Sequence, residues 1–372
     1  MQPHGCMLLT SFQLVRPRSE APQDEILSWV VDMHTRAAAA AEKTPGGFDS
    51  GAFHDRLRRL ARHVCCGSDR IATRGYSVPE WLSASGTAAR TDWFADEVQA
   101  TFERMYADEP EPPDDLVHVT CTGYVSPSGA QRLVSSRGWG SRTSVTHAYH
   151  MGCYAAVPAL RIALGCSCTA NRRDRGYRVD VVHTELCTLH FDPSIHTAEQ
   201  LVVQSLFADG SVRYSLREDD GATRGLEVLV LREMLVDGTD DAMQWRPGDH
   251  GMRMTLSRDV PEQIARGIRP FVANLFERAG LDLANERRRA VFAVHPGGPR
   301  IIDLVRDALE LDESQIAASR RVLRRFGNMS SATLPHIWSD VIEDDACSRG
   351  SLVASFAFGP GLTICGSLFR KV

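Results

Sequence analysis

The sequence predicts an α/β layered fold, and three observations carry that expectation. Segments rich in Val, Ile and Thr alternate with helix-favouring segments along the whole chain. Several of the strand segments are near-continuous apolar runs, the pattern of strands buried on both faces. The 372 residues are 43% hydrophobic, 24% charged and 7% aromatic, an ordinary globular composition able to bury a sizeable core without metal or disulfide staples. That length fits one large domain or two to three average ones.

In chain order, a helix is expected over Asp24–Glu42, where the Ala37–Ala41 run favours helix. Helices follow at Phe53–Cys66 and Arg90–Tyr106. The acidic segment Asp108–Asp115 holds three prolines and cannot continue a helix, so it reads as a loop. Strands are expected at Leu116–Thr122 and Val179–Leu189, with a helix over Val157–Leu164 between them. A helix at Thr197–Phe207, a strand at Leu226–Leu235 and a helix at Pro261–Ala279 come next. The strand Ala290–His295 then feeds helices at Pro299–Leu309 and Glu313–Phe326. Two final strands, Leu352–Phe358 and Leu362–Leu368, flank Gly359-Pro360-Gly361, a tight-turn signal. No repeat of 20 to 50 residues is visible.

Composition excludes several classes. Forty-two basic and 47 acidic residues leave a net charge of −5, without the basic excess of a nucleic-acid-binding chain. No run of 18 or more apolar residues suggests a membrane span. Residues 1–16 have neither the charged start nor the small-residue cleavage site of a signal peptide. The ten cysteines contain no Cys-x-x-Cys pair, so zinc-finger and thioredoxin readings fail. Free thiols in a reducing, cytoplasmic setting are expected. His147, His150 and Cys153 have the spacing of metal ligands but no evident fourth partner, so no metal is expected.

Three segments combine residues able to do chemistry. Met151-Gly152-Cys153 precedes a helix, and a thiol at a helix N-terminus gains thiolate character. Pro158 requires that the first turn be irregular or begin later. His295 ends an apolar strand before Pro296-Gly297-Gly298, facing the crevice where α/β folds place ligands. Asn328 follows Gly327 at the end of a helix. Taken singly, each has a structural reading: an inert buried Cys, a turn His, a helix C-cap. Together, a thiolate with a proton acceptor and an amide donor suits papain-like proteolysis or acyl transfer with carbon–carbon bond formation. The mid-chain place of Cys153 and its Met-Gly-Cys-Tyr context argue against the protease.

Six ordered segments resemble the type III polyketide synthases, the chalcone synthase family. They are Gly152-Cys153-Tyr154-Ala155, Thr184-Glu185-Leu186-Cys187, Leu206-Phe207-Ala208-Asp209-Gly210, Val294-His295-Pro296-Gly297-Gly298-Pro299, Gly327-Asn328-Met329-Ser330-Ser331-Ala332 and Phe358-Gly359-Pro360-Gly361-Leu362-Thr363. The resemblance runs from about residue 50 to the C-terminus. It implies a thiolase-like fold of two pseudo-equivalent α/β/α/β/α halves. Residues 1–235 would carry the nucleophilic Cys, and residues 236–372 the His and Asn.

The resemblance further implies a homodimer, no tightly bound cofactor, and coenzyme A thioesters as substrates: an acyl-CoA starter and malonyl-CoA. Cys153 would hold the acyl chain. His295 and Asn328 would stabilise the enolate left when malonyl thioester loses CO₂. Phe207 and Met254 would stand at the gatekeeper positions, and unbranched Met suits an aliphatic acyl chain. Trp245 would occupy a position the family keeps as Gly, shrinking the elongation cavity. Cys121, Cys187 and His190 would fall on cavity positions where the family usually has Thr. The basic helix carrying Arg58, Arg59 and Arg62 would hold coenzyme A phosphates, or serve an acyl carrier protein. Rival readings are a single-condensation β-ketoacyl synthase, a cysteine hydrolase and a non-catalytic partner of the same fold.

Overall fold

The computed structural model describes residues 6–42, 48–79, 82, 85–169 and 176–372. The chain opens with strands β1 (Met7–Val15) and β2 (Glu20–Pro22), helices α1 (Gln23–Ala41) and α2 (Ser50–Val64), and β3 (Thr73–Gly75). Then come α3 (Thr87–Met105), β4 (Asp115–Thr120), α4 (Gly129–Ser136), β5 (Ser144–Tyr149), α5 (Ala156–Thr169) and β6 (Val179–Leu186). The middle holds α6 (Ala198–Leu206), β7 (Asp209–Glu218), β8 (Leu226–Leu235), β9 (Met243–Gly248), β10 (Gly251–Leu256), α7 (Val260–Arg278) and α8 (Leu283–Glu286). The chain closes with β11 (Val291–Val294), α9 (Pro299–Leu309), α10 (Ala317–Phe326), α11 (Thr333–Glu343), β12 (Leu352–Gly359) and β13 (Thr363–Lys371).

The main sheet runs β11-β12-β13-β8-β1-β7-β6-β4-β5, with β2 and β3 attached at its side. Parallel pairs lie at its two ends, β11 with β12 and β4 with both β5 and β6. The strands between them pair antiparallel. Every residue of β4 and β6 is buried, the polar His118, Asp180, His183 and Glu185 along with the Val and Leu residues. Helix α5 packs on β4 and β6 and also on β8 and β13. Helix α11 packs on β7, β11 and β12. Each helix therefore packs on one end of the sheet and on its middle strands, and both lie in the main core, with Leu160, Ile337 and Trp338 fully buried.

The structure departs from the expected elements at instructive places. The strand expected to run to Leu189 stops at Leu186, and a 3-10 turn over Cys187–His190 follows. The helix expected from Glu313 begins as a 3-10 turn, Glu313–Ile316, before α10. Strands β1, β5 and β7, the separate hairpin β9–β10 and helix α4 were not anticipated. Gly359-Pro360-Gly361 does link two antiparallel strands, with Gly359 facing Thr363 across the turn.

Candidate active site

The C-terminal ends of β4, β5, β6 and β11 deliver, in turn, Cys121, the Cys153 turn, Cys187 and His295. This is where parallel strands of α/β sheets present ligand-binding residues. Cys153 sits in a 3-10 turn over Gly152–Tyr154, and α5 starts only at Ala156. Pro158 thus falls in the first helical turn, where its missing N–H has no partner to lose. Gly152 has φ +77, and a Cβ there would lie 2.8 Å from Pro360 Cδ. A Cβ at Gly359 would press within 2.5 Å of the Tyr154 ring. The C-terminal hairpin turn therefore seats directly against the cysteine turn, and glycine on each side permits the approach.

His295 follows β11 and is 1% exposed. Its backbone N–H donates to Phe356 O at 2.8 Å, while neither ring nitrogen has a partner among the described residues. Asn328 is equally buried. Its N–H donates to Leu206 O at 2.9 Å, and its carbonyl accepts from Ala208 N at 2.8 Å. Gly327, at φ +74, ends α10. The cap is therefore the glycine, and the asparagine side chain is free for another use. Asn328 Oδ1 accepts from Ser330 N at 2.9 Å. A backbone N–H can only donate, so this bond fixes which end of the amide is oxygen. Nδ2 stands 3.5 Å from Gly297 O, beside the cavity.

Cys153, His295 and Asn328 line one cleft of about 710 Å³. Its other walls are mostly apolar, among them Val202, Leu206, Met243, Leu256, Ile264 and Ile301. On the far side of Cys153 lies a smaller chamber of about 50 Å³. Cys153, Val203, Phe207 and Met254 line both spaces and so stand at the boundary between them. Cys121, Cys187, His190 and Trp245 line the chamber.

Trp245 lies directly across the β9–β10 hairpin from Met254. Its Nε1 donates to Cys121 O at 2.6 Å, and its ring meets His190 edge-on at 5.2 Å. His190 Nδ1 accepts from Met252 N at 2.9 Å, so Nε2 carries the proton and donates to Thr122 O at 2.8 Å. The indole is thus pinned across the chamber.

Charge in the site is set by burial. Desolvation pushes the Cys153 thiol up to about 12, with the Glu185 charge raising it further and Ser330 opposing. Desolvation likewise pushes the His295 imidazole down to about 3. Burial thus favours the neutral form of both groups and opposes the thiolate expected from the helix N-terminus and His295. Among the described residues, the side-chain hydrogen-bond partner of Cys153 Sγ is Ser330 Oγ at 3.6 Å.

Two residues inside the quoted motifs have bonds that sequence alone does not reveal. Ser330, two positions past Asn328, also lies 3.1 Å from Cys121 Sγ. Glu185 is fully buried and accepts from Cys121 N at 3.1 Å, Thr122 Oγ1 at 2.9 Å and Ser331 Oγ. Arg58, Arg59 and Arg62 lie on the exposed face of α2 and are not among the cleft-lining residues. The arginines on the cleft rim are Arg258 and Arg300, which no sequence signal marked. His147 bonds Ser128 Oγ at 2.9 Å and His150 packs against Tyr124, so they do not converge on Cys153. Among the described residues no helix is long and apolar enough to cross a membrane.

Comparison with known proteins bears on this site. The family model for the N-terminal domain of chalcone and stilbene synthases matches residues 110–216, and that for the C-terminal domain matches residues 227–372. "Type III polyketide synthase A" of Arabidopsis thaliana is 29% identical over 274 residues, spanning 70% of this chain and 67% of that protein. "Probable polyketide synthase 1" of Dictyostelium discoideum is 28% identical over 303 residues, 79% of this chain but 9% of that much longer protein. The crystal structure of 1,3,6,8-tetrahydroxynaphthalene synthase from Streptomyces coelicolor, a bacterial type III polyketide synthase, superposes with a TM-score of 0.80 at 24% identity. That match covers 98% of this chain and 99% of the other, so the fold is thiolase-like throughout.

Proposed function

The chain belongs to the chalcone and stilbene synthase family, the type III polyketide synthases, and from that premise we propose that Cys153 carries an acyl thioester which malonyl-CoA extends by decarboxylative condensation. The observation supporting this is the convergence of Cys153, His295 and Asn328 on one apolar cleft. Burial works against an isolated thiolate at Cys153. His295 lines the same cleft, and in this reading it takes the thiol proton as Cys153 attacks an acyl-CoA carbonyl, so that no lone thiolate has to be held. Coenzyme A leaves as the thiol, taking that proton back from the imidazolium.

Malonyl thioester then enters the same cleft. Loss of CO₂ leaves negative charge on the thioester oxygen, which requires donors that do not themselves carry negative charge. Neutral imidazole N–H at His295 and the amide N–H of Asn328 meet that requirement, each worth roughly 3 kcal/mol in a dry site. The enolate carbon attacks the Cys153 thioester, forming the carbon–carbon bond and releasing the Cys153 sulfur. The apolar cleft suits an aliphatic starter.

A second reading is favoured by the chamber of about 50 Å³ closed by Trp245: one condensation, as in a β-ketoacyl synthase. Product mass spectra after incubation with malonyl-CoA and hexanoyl-CoA or dodecanoyl-CoA separate the two by counting extensions. Cys153→Ala is expected to abolish every extended product. Extended product from that variant would refute the nucleophile assignment.

A further inference from the structure

Three of the cysteines, Cys121, Cys153 and Cys187, face the same small chamber. One hydroxyl, Ser330 Oγ, touches two of their sulfurs, at 3.1 Å from Cys121 and 3.6 Å from Cys153. Cys121 Sγ in turn donates to Glu185 Oε2 at 3.6 Å. The second thiol therefore has both a path to the first and a carboxylate beside it. Glu185 is fully buried, and burial raises its carboxyl above the ordinary carboxylate range although donors from Cys121 N, Thr120, Thr122 and Ser331 oppose the rise. A threonine or serine in place of Cys121 would preserve the hydrogen bonds. A thiol adds the ability to carry an acyl group as a thioester with no change in bond type.

We propose that Cys121 is a second acyl-carrying residue, receiving a short acyl group from Cys153 by thioester exchange within the chamber. Cys121 sulfur attacks the carbonyl carbon of the Cys153 thioester as its thiol proton passes to Ser330 Oγ, 3.1 Å away. The Cys153 sulfur–carbon bond breaks, and the proton that Ser330 Oγ held passes to the Cys153 sulfur, 3.6 Å away, so the hydroxyl ends as it began. One thioester is made and one is broken, so neither oxidant nor reductant enters. Cys153 is then free to load again while the first acyl group waits beside it. The chamber of about 50 Å³ sets the size of the group. It has room for roughly four water-sized groups, enough for an acetyl unit and too little for a long chain. The inference rests on Cys153 being the loading thiol.

The test is peptide mapping by mass spectrometry of the intact enzyme, acid-quenched at increasing times after addition of acetyl-CoA, with hexanoyl-CoA as a parallel donor. Acetyl is expected first on the Cys153 peptide and later on the Cys121 peptide, reaching roughly a tenth or more of the Cys153 level, because the two thioesters are nearly equal in energy. Cys153→Ala is expected to leave Cys121 unlabelled. Acetyl confined to Cys153 overturns the exchange, and so does acetyl on Cys121 in Cys153→Ala. If acetyl labels no thiol while hexanoyl labels Cys153, the exchange falls and the loading assignment stands. If neither donor labels any thiol, both fall.

Discussion

Replacing Trp245 with alanine tests the chamber's control of chain length. The indole is held by its Nε1 bond to Cys121 O at 2.6 Å and by edge contact with His190 at 5.2 Å. Losing the hydrogen bond costs about 1 kcal/mol, and losing the ring contact about 0.5–1.5 kcal/mol. The variant should therefore fold, with its melting temperature lowered by a few degrees. The space gained is large by comparison. Removing so big a side chain opens roughly 150 Å³ or more, the volume that a Leu-to-Ala change opens in a packed core. That is several times the present chamber of about 50 Å³. Trp245→Ala should shift the products toward additional malonyl-derived units, read by liquid chromatography and mass spectrometry at matched enzyme concentration. A folded variant with the wild-type product distribution would refute the claim that this ring limits extension.

Two other predictions follow from charge. Arg258 and Arg300 stand on the rim of the cleft. Converting both to alanine should raise KM for acyl-CoA several-fold at low salt while leaving kcat and the rate with an N-acetylcysteamine thioester unchanged. An equal loss with the truncated donor would show that these arginines do not read the phosphates. Five buried histidines are held below their ordinary value by desolvation, His118, His183 and His295 at about 3 and His34 and His336 at about 4. The unfolded chain takes up protons at these sites near pH 6.5 and the folded chain does not. Their contribution is therefore complete above that pH and is lost as pH falls below it, about 1.4 kcal/mol each by pH 5.5. Thermal melts followed by circular dichroism should show a steep fall in stability between pH 6.5 and 5, and a flat profile would contradict the burial of these rings as neutral groups.

The site's principal side chains were legible because each sits where the backbone must turn: Gly152 before Cys153, Gly297-Gly298 after His295, Gly327 before Asn328. Such punctuation survives in a linear reading. The strands β4 and β6 were legible from their Val and Leu content, although each also buries polar residues. Hairpin β9–β10 was not, since Pro247 and Gly248 interrupt it and much of its surface is exposed. Edge strand β5, Ser144–Tyr149, mixes polar and apolar residues and carries no clear period. What opposes ionisation of Cys153 was not legible, because a helix end is visible in sequence and the depth of a pocket is not. The link from Cys153 through Ser330 and Cys121 to Glu185 joins four segments far apart in the chain, and only folding brings them into contact.

The most direct test of the central claim is to follow CO₂ release from labelled malonyl-CoA and acyl transfer to Cys153 in the same preparation of Asn328→Asp. A carboxylate at this position would repel the enolate but leave the thiol in place. The enzyme should therefore load Cys153 at close to the wild-type rate and lose decarboxylation by about 100-fold or more. Equal loss of both steps, or decarboxylation at the wild-type rate, would contradict the role assigned to Asn328 and with it the condensation mechanism.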